Sequence, residues 1–229
     1  MAREFTKSMF VMLIAIMVGA VIITFFVGDI VNQSRIDTIT VQHVTEISDI
    51  NSRNENFTDN YLQGAVKMDS AREVREVANY YFDFALFWFN NALANQSKNL
   101  TTFCIQNCTA AMARYVDAHL NFGKSKPYFV NARNFTSNAR HLEVIGYYIG
   151  FASAGQNITS LRYNASDYLR RAAENLSFGN MDEALLLMEN FTEVEEAYQG
   201  AVQQYEEFRY QIDGYIFFST IREIPDIES

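Results

Sequence analysis

The sequence predicts an all-α protein in which an N-terminal single transmembrane helix continues into an extracellular, elongated helical bundle. Residues 9–27 form an apolar run without a charge. The whole chain of 229 residues has only two prolines and ten glycines, so helix breakers are scarce. Apolar residues recur every three or four positions beyond the run, which is the period of an amphipathic helix.

The run at 9–27 has the length of a membrane span, because nineteen helical residues extend about 28 Å, the thickness of a bilayer core. A cleaved signal peptide has a shorter core and a small-residue cleavage site, whereas Gly28 and Asp29 follow here. A cleaved signal and a buried core helix are the alternatives to an uncleaved anchor. Arg3 and Lys7 precede the run, which predicts a cytoplasmic N-terminus.

Four segments follow from these features. We predict a short cytoplasmic tail at 1–8, a transmembrane anchor at 9–31, a membrane-proximal helical stalk at 32–58 and an extracellular glycosylated helical bundle at 59–229. The apolar run at 144–154 is too short to span a bilayer. The prediction is therefore a single-pass plasma-membrane protein whose C-terminal domain is extracellular.

The charge balance is acidic, with a net charge of −9 for the chain. After Val27 the chain has 16 basic and 26 acidic residues, a net charge of −10. An acidic surface without a Lys/Arg cluster excludes nucleic acid as a partner and disfavours anionic lipid headgroups. The predicted partners are the lipid bilayer and other protein subunits, in a homo- or hetero-oligomer.

The most specific motif is the N-glycosylation sequon, N-x-S/T, which occurs ten times. With 20 asparagines and 27 serines and threonines in the chain, chance predicts about two or three such triplets. All ten follow the anchor, on the side that the charge rule places outside. The excess predicts N-glycosylation in a secretory or archaeal cell-surface setting, and we favour an archaeal envelope. The acceptors are Asn32, Asn56, Asn95, Asn99, Asn107, Asn134, Asn157, Asn164, Asn175 and Asn190.

Two stretches, 59–94 and 193–229, contain no sequon and are predicted to be buried or covered by a partner. The first contains the densest apolar segment, at 80–89, where seven of ten residues are aromatic. A helix that is apolar all round lies in the centre of a bundle or against another chain, and both alternatives remain open. The candidate subunit-interface residues are Tyr81, Phe84, Phe87, Trp88 and Phe89.

The helices follow from apolar spacing and from turn residues. A helix is predicted over 36–93, with a break near 51–58 because Asn and Ser compete with helical hydrogen bonds. Small residues at Gly146, Gly150 and Ala154 predict the close approach of another helix. Further helices are predicted at 101–122, at 127–154 after a turn at 124–127, at 159–177, and from 182 to about 218 after a turn at 178–180.

Cys104 and Cys108 lie four residues apart in the predicted exterior, where disulfides persist. An i,i+4 pair is near the geometric limit for a bridge. An intrachain disulfide, two buried thiols and a link between subunits are the alternatives. Metal binding is disfavoured because two cysteines are half a zinc site and no histidine stands at ligand spacing. We predict no metal and no cofactor.

Catalytic motifs are missing from the sequence. His43, His119 and His141 are scattered, and there is no phosphate loop, nucleophile elbow or dinucleotide fingerprint. We therefore predict that the protein is not an enzyme but a structural or assembly subunit of a cell-surface complex. The alternatives are an extracellular ligand-binding or sensor module signalling through a partner, an accessory subunit of a membrane enzyme complex, and a viral envelope protein.

Overall fold

The computed structural model describes the backbone of residues 2–95 and 97–215 and the side chains of residues 38–95 and 97–215. It contains four α-helices and, over these residues, no strand. The all-α prediction is therefore confirmed. The helices are α1 (Ala2–Asn95), α2 (Lys98–Asn134), α3 (Ala139–Phe178) and α4 (Met181–Asp213).

The chain divides into two compact units, residues 1–53 and residues 54–229. In the first unit every side chain described, from 38 to 53, is exposed. The predicted anchor at 9–31 lies outside the residues whose side chains are described, and so does the acceptor Asn32. Among the residues whose side chains are described, no helix has the length and apolar character of a membrane span.

The second unit is an up-down-up-down four-helix bundle. Its connections are two to four residues long, which places consecutive helices side by side and antiparallel. At one end of the bundle Trp88 of α1 contacts Phe103 of α2, with ring centroids 5.2 Å apart. At the other end Tyr61 of α1 contacts Phe129 of α2, at 6.1 Å. Residues near the end of α1 thus meet residues near the start of α2.

The bundle core follows a seven-residue repeat. On α1, four alanines at seven-residue steps, from Ala71 to Ala92, are completely buried. A 3-4 spacing of buried residues is typical of coiled-coil packing, in which side chains of one helix fit between those of the next. On α2 the buried residues are Thr101, Cys104, Cys108, Ala111, Tyr115, Ala118, Phe122, Ser125, Phe129 and Ala132.

Glycines on α3 let two phenylalanine rings reach its backbone. A Cβ placed on Gly150 would lie 2.5 Å from the ring of Phe208, and one on Gly155 would lie 2.6 Å from the ring of Phe122. The close approach predicted at Gly150 is confirmed. At Gly146, in contrast, nothing lies within 4 Å of a Cβ, so this glycine does not serve the contact.

The break predicted near 51–58 is wrong, because α1 is continuous there. Thr58 Oγ1 donates to the carbonyl of Asn54 at 2.8 Å, and Asn60 Nδ2 donates to the carbonyl of Asn56 at 2.8 Å. These bonds point one turn back along the helix and add to its ladder. Polar side chains at 51–58 are therefore compatible with a continuous helix, although the sequence predicts a break there.

The turn predicted at 124–127 is also wrong, because α2 runs through Pro127. A proline inside a helix costs about 3 kcal/mol through its missing donor and its clash with the preceding turn. Ser125 and Phe129 on either side are fully buried and continue the core repeat. Packing along the whole of α2 outweighs the local penalty.

The connection between α2 and α3 lies at 135–138. Asn138 caps α3 by accepting a hydrogen bond from the backbone N–H of Arg140 at 2.9 Å. The interruption predicted between 154 and 159 is wrong, because α3 continues with Ile158 and Thr159 buried.

The turn predicted at 178–180 is confirmed. Gly179 ends α3 with φ of 84°, a left-handed conformation that glycine adopts without strain. Helix α4 ends at Asp213, before the predicted end near 218, and residues 216–229 lie outside the part of the chain that is described.

Candidate protein-interaction surface

The aromatic segment at 80–89 divides between the core and the surface. Phe82 is 2% exposed and packs inside the bundle, whereas Phe84 and Phe87 are 38% and 55% exposed. Successive residues differ by 100° around a helix, so one aromatic run presents rings on both sides. The run therefore contains both core residues and exposed residues, and the interface predicted for the exposed ones stays a prediction.

The five candidate interface residues have three kinds of environment. Phe84 and Phe87 are exposed, and Tyr81 and Trp88 are half-buried. Phe89 is buried in the core, so it is not available to a partner.

The exposed rings belong to a longer apolar stripe along α1, which we call the outer stripe. Its members are 38–65% exposed and fall within about 80° of the helix circumference at 100° per residue. Asp69 and Glu73 separate its two halves. The rings of Tyr80 and Phe84 contact each other, with centroids 4.6 Å apart. The outer stripe consists of Leu62, Val66, Val77, Tyr80, Phe84 and Phe87.

Two acceptors with described side chains lie on α1 beyond the ends of this stripe, Asn56 before Leu62 and Asn95 two turns after Phe87. All nine whose side chains are described are exposed or half-buried. On α2, Phe103 lies one turn from both Asn99 and Asn107, and Asn107 Nδ2 donates to the Phe103 carbonyl at 2.8 Å. Glycans at these positions would border the surface formed by Trp88 and Phe103. Between Leu62 and Phe87 the outer stripe has no acceptor.

Arg162 of α3 fixes the inner side of the same aromatic segment. Its guanidinium lies 4.5 Å from the centroid of the Phe82 ring of α1 and 3.7 Å from that of Tyr198 of α4. It also forms an ion pair with Glu195 of α4. Cation–π contacts of a partly desolvated guanidinium favour one geometry, so α1 is held at a defined rotation and its outer stripe faces away from the core.

The two cysteines lie in the core of α2, with their sulfurs 3.9 Å apart. A disulfide would require about 2.0 Å. The hydrogen bond with Cys104 and burial raise the pKa of the Cys108 thiol far above its usual range. The Cys108 thiol is therefore neutral and poorly nucleophilic at physiological pH.

A cavity of about 220 Å³ lies between α1, α3 and α4. The hydroxyls of Tyr61 and Tyr148 are 2.7 Å apart at its wall. Burial is the main cause that raises the pKa of each of these tyrosines, so both are neutral. The polar lining consists of Tyr61, Asp69, Arg72, Tyr148, Arg209 and Asp213.

The sequence predicts part of this site only coarsely. It predicts that the stretch 59–94, which contains Leu62, Val66 and Val77, is buried or covered by a partner, but it does not distinguish the exposed face of α1 that these residues share with Tyr80. Arg162 was not singled out, because a single arginine gives no sign of burial in a sequence. Among the residues whose side chains are described, no three or more His, Cys, Asp or Glu are grouped to hold a metal ion.

The chain has no match among protein-family models, curated proteins or solved structures. Four-helix bundles carry many unrelated functions, so the fold alone does not select one. The features of this bundle that bear on its function are the outer stripe and the cavities.

Proposed function

We propose that this protein is a single-pass, membrane-anchored, N-glycosylated extracellular helical bundle that serves as a structural or assembly subunit of a cell-surface complex. The observation that supports it best is the outer stripe on α1, which is apolar and exposed and lies in a stretch without sequons. Monomeric proteins rarely expose apolar patches of more than a few hundred Å² unless the patch binds something.

The outer stripe has the chemistry of a protein interface. Aromatic side chains are enriched in such interfaces. The stripe contributes large aromatic rings at Tyr80, Phe84 and Phe87. Each of these side chains has few rotatable bonds whose freedom would be lost on docking. Because Phe82 and Phe89 anchor the same helix in the core, the platform is already ordered, which lowers the entropic cost of association.

The membrane and exterior parts of the proposal rest on the sequence. The apolar run at 9–27, the basic residues before it and the ten acceptors after it support one topology. Dense N-glycosylation of an acidic helical domain is consistent with an archaeal envelope. Sugar would limit protein contacts close to each acceptor, whereas the stretch 59–94 of α1 has no acceptor and would be left for assembly.

A new glycan on the outer stripe tests the proposal. Leu93→Thr places a threonine two residues after Asn91 and so makes Asn91 an acceptor. Asn91 lies one turn after Phe87, to whose carbonyl its Nδ2 donates at 2.8 Å. A glycan at Asn91 is expected to prevent assembly, measured as the mass of the complex extracted from native membranes.

Leu93→Val is the matched control, because valine has the shape of threonine but creates no acceptor. Phe87→Glu tests the same surface without any sugar and is also expected to reduce assembly. The proposal would be contradicted if Leu93→Thr, once glycosylated, and Phe87→Glu both assemble into complexes of unchanged mass. The composition of the intact complex also distinguishes a structural assembly from a membrane enzyme or a viral envelope.

A second candidate function, ligand binding by a sensor module, is favoured by the cavity between α1, α3 and α4. Two arginines and two aspartates among its lining give no net charge, which matches a small zwitterion such as a free amino acid. Bound ligand would raise the melting temperature (Tm). A thermal-shift screen of amino acids in which none raises Tm would remove this candidate.

A further inference from the structure

An open groove between α2 and α3 lies beside one of the acceptor asparagines. Its volume is about 270 Å³, close to the lower end of small-molecule sites, which range from roughly 300 to 1,000 Å³. Asn164 itself contributes to the lining, together with Tyr163 and Ser160 of α3 and Val116 of α2. The size suits a single sugar residue.

The polar side of the groove is organised by His119 of α2. Its Nδ1 lies 3.1 Å from the Gln156 carbonyl and 3.1 Å from Ser160 Oγ, and its Nε2 lies 3.3 Å from Gln156 Nε2. A proton on Nδ1 satisfies all three contacts, because Nδ1–H donates to both oxygens and Nε2 accepts from the amide. The hydroxyl proton of Ser160 is then left to donate to a ligand oxygen.

The apolar side of the groove comes from α2. Val116 and Leu120, one turn apart, are 44% and 50% exposed. A sugar ring combines C–H faces, which pack on apolar and aromatic side chains, with hydroxyls that form hydrogen bonds. The groove offers both kinds of contact to a ligand of that class.

Asn164 provides the means to fill the groove. Its side chain is exposed, and a glycan attached to it would hold its first sugar close to the opening. A short tether gives an effective concentration in the millimolar range, so weak contacts suffice for occupancy. Asn157 and Asn175, on the same helix, are not part of the lining.

We propose that the first sugar residue of an N-linked glycan on Asn164 lies in this groove, against Val116 and Leu120 and within hydrogen-bonding reach of Ser160. This inference rests on the glycosylation in the proposed function. It gives this glycan a defined place in the fold, where it covers apolar surface between α2 and α3.

The test uses the full-length glycosylated protein from its native membrane. Mass spectrometry of the peptide containing Asn164 is expected to show attached sugar. Asn164→Gln is then expected to lower Tm by about 3 °C, while Asn157→Gln, the matched control, changes it by less than about 1 °C. Leu120→Ala is expected to lower Tm more in the glycosylated protein than in the Asn164→Gln variant, because only the former has a sugar contact to lose.

Hydrogen exchange provides a measurement without substitution. Removing the glycans enzymatically from the wild-type protein is expected to speed exchange at α2 amides near Leu120. One outcome would overturn the inference and leave the proposed function intact. In it, Asn164 carries sugar, but both Asn→Gln variants shift Tm equally, Leu120→Ala shows no coupling to Asn164→Gln, and hydrogen exchange is unchanged by removal of the glycans. An unmodified Asn164 beside occupied acceptors would do the same. Bare asparagines throughout would overturn both the inference and the glycosylation in the proposed function.

Discussion

The outer stripe of α1 and the outer surfaces of α2 and α3 both expose large apolar side chains, but only on α2 and α3 do acceptor asparagines lie within one turn of them or in the same groove. On α1, the stretch 59–94 has no acceptor within it. On the other helices the pairs are Phe103 with Asn107, Leu120 with Asn164, Val130 with Asn134, and Phe178 with Asn175. The two proposals would cover these surfaces differently, with a bound protein on α1 and an attached sugar on α2 and α3.

The largest expected effect separates the two sides of α1. Phe82→Ala removes a ring from the core and should lower the free energy of unfolding by about 3–5 kcal/mol. Phe84→Ala, two residues away on the outer stripe, should change it by less than about 0.5 kcal/mol. Urea unfolding of the two variants gives both values. Equal losses would mean that the outer stripe is packed within the bundle, and the comparison would fail.

A prediction with a smaller expected effect concerns how tightly α2 and α3 pack beneath their exposed residues. Gly155→Ala places a Cβ 2.6 Å from the ring of Phe122, which is fully buried and contacts the rings of Phe151 and Tyr205. We expect a loss of about 1–3 kcal/mol. Gly146→Ala, on the same helix with open space around it, should instead gain about 0.5–1 kcal/mol. Thermal unfolding of both variants distinguishes this from a loosely packed pair of helices, in which both would gain.

The tyrosines buried on the inner side of the bundle should make its stability depend on pH in the alkaline range. Burial is the largest cause that raises the pKa of Tyr61, Tyr115 and Tyr148. In the unfolded chain these tyrosines lose protons near pH 10, while the native chain keeps them. Stability is therefore unaffected below about pH 10 and falls as pH rises further, by at most about 1.4 kcal/mol per pH unit for each tyrosine.

Denaturant unfolding between pH 8 and pH 11.5 measures this fall. Tyr148→Phe should make it less steep, whereas a slope unchanged by the substitution would show that this hydroxyl is not buried in the native state. Because the hydroxyls of Tyr61 and Tyr148 form a hydrogen bond, each tyrosine should be substituted singly.

The prediction with the smallest expected effect compares the two sides of α2, and chemical labelling of cysteines measures it. Cys104 and Cys108 face the core, so a maleimide should label neither thiol in the native protein and both after unfolding. A cysteine introduced by Phe103→Cys, on the exposed side, should react at once. Rapid native labelling of the two natural thiols would contradict the inward orientation of this face. No labelling after unfolding would reveal a disulfide instead.

Apolar spacing predicted the helical class and located α1 and α4, and Gly179 marked the turn before α4 because glycine adopts a left-handed backbone without strain. Prediction failed where local preference and packing disagree. Pro127 and the polar residues at 51–58 disfavour a helix when taken alone. Burial along a helix of 37 residues outweighs one proline, and this sum is not visible in a short window of sequence.

The sequence by itself determined the helical composition, the acidic charge and the position of every acceptor, because each of these depends only on which residues are present and how they are spaced. The tertiary structure decided which aromatic rings of 80–89 face the core, that Arg162 lies between two rings, and that Asn164 borders a groove. Those facts depend on which helices are neighbours and how each is rotated, and both are fixed by contacts between residues far apart in the chain.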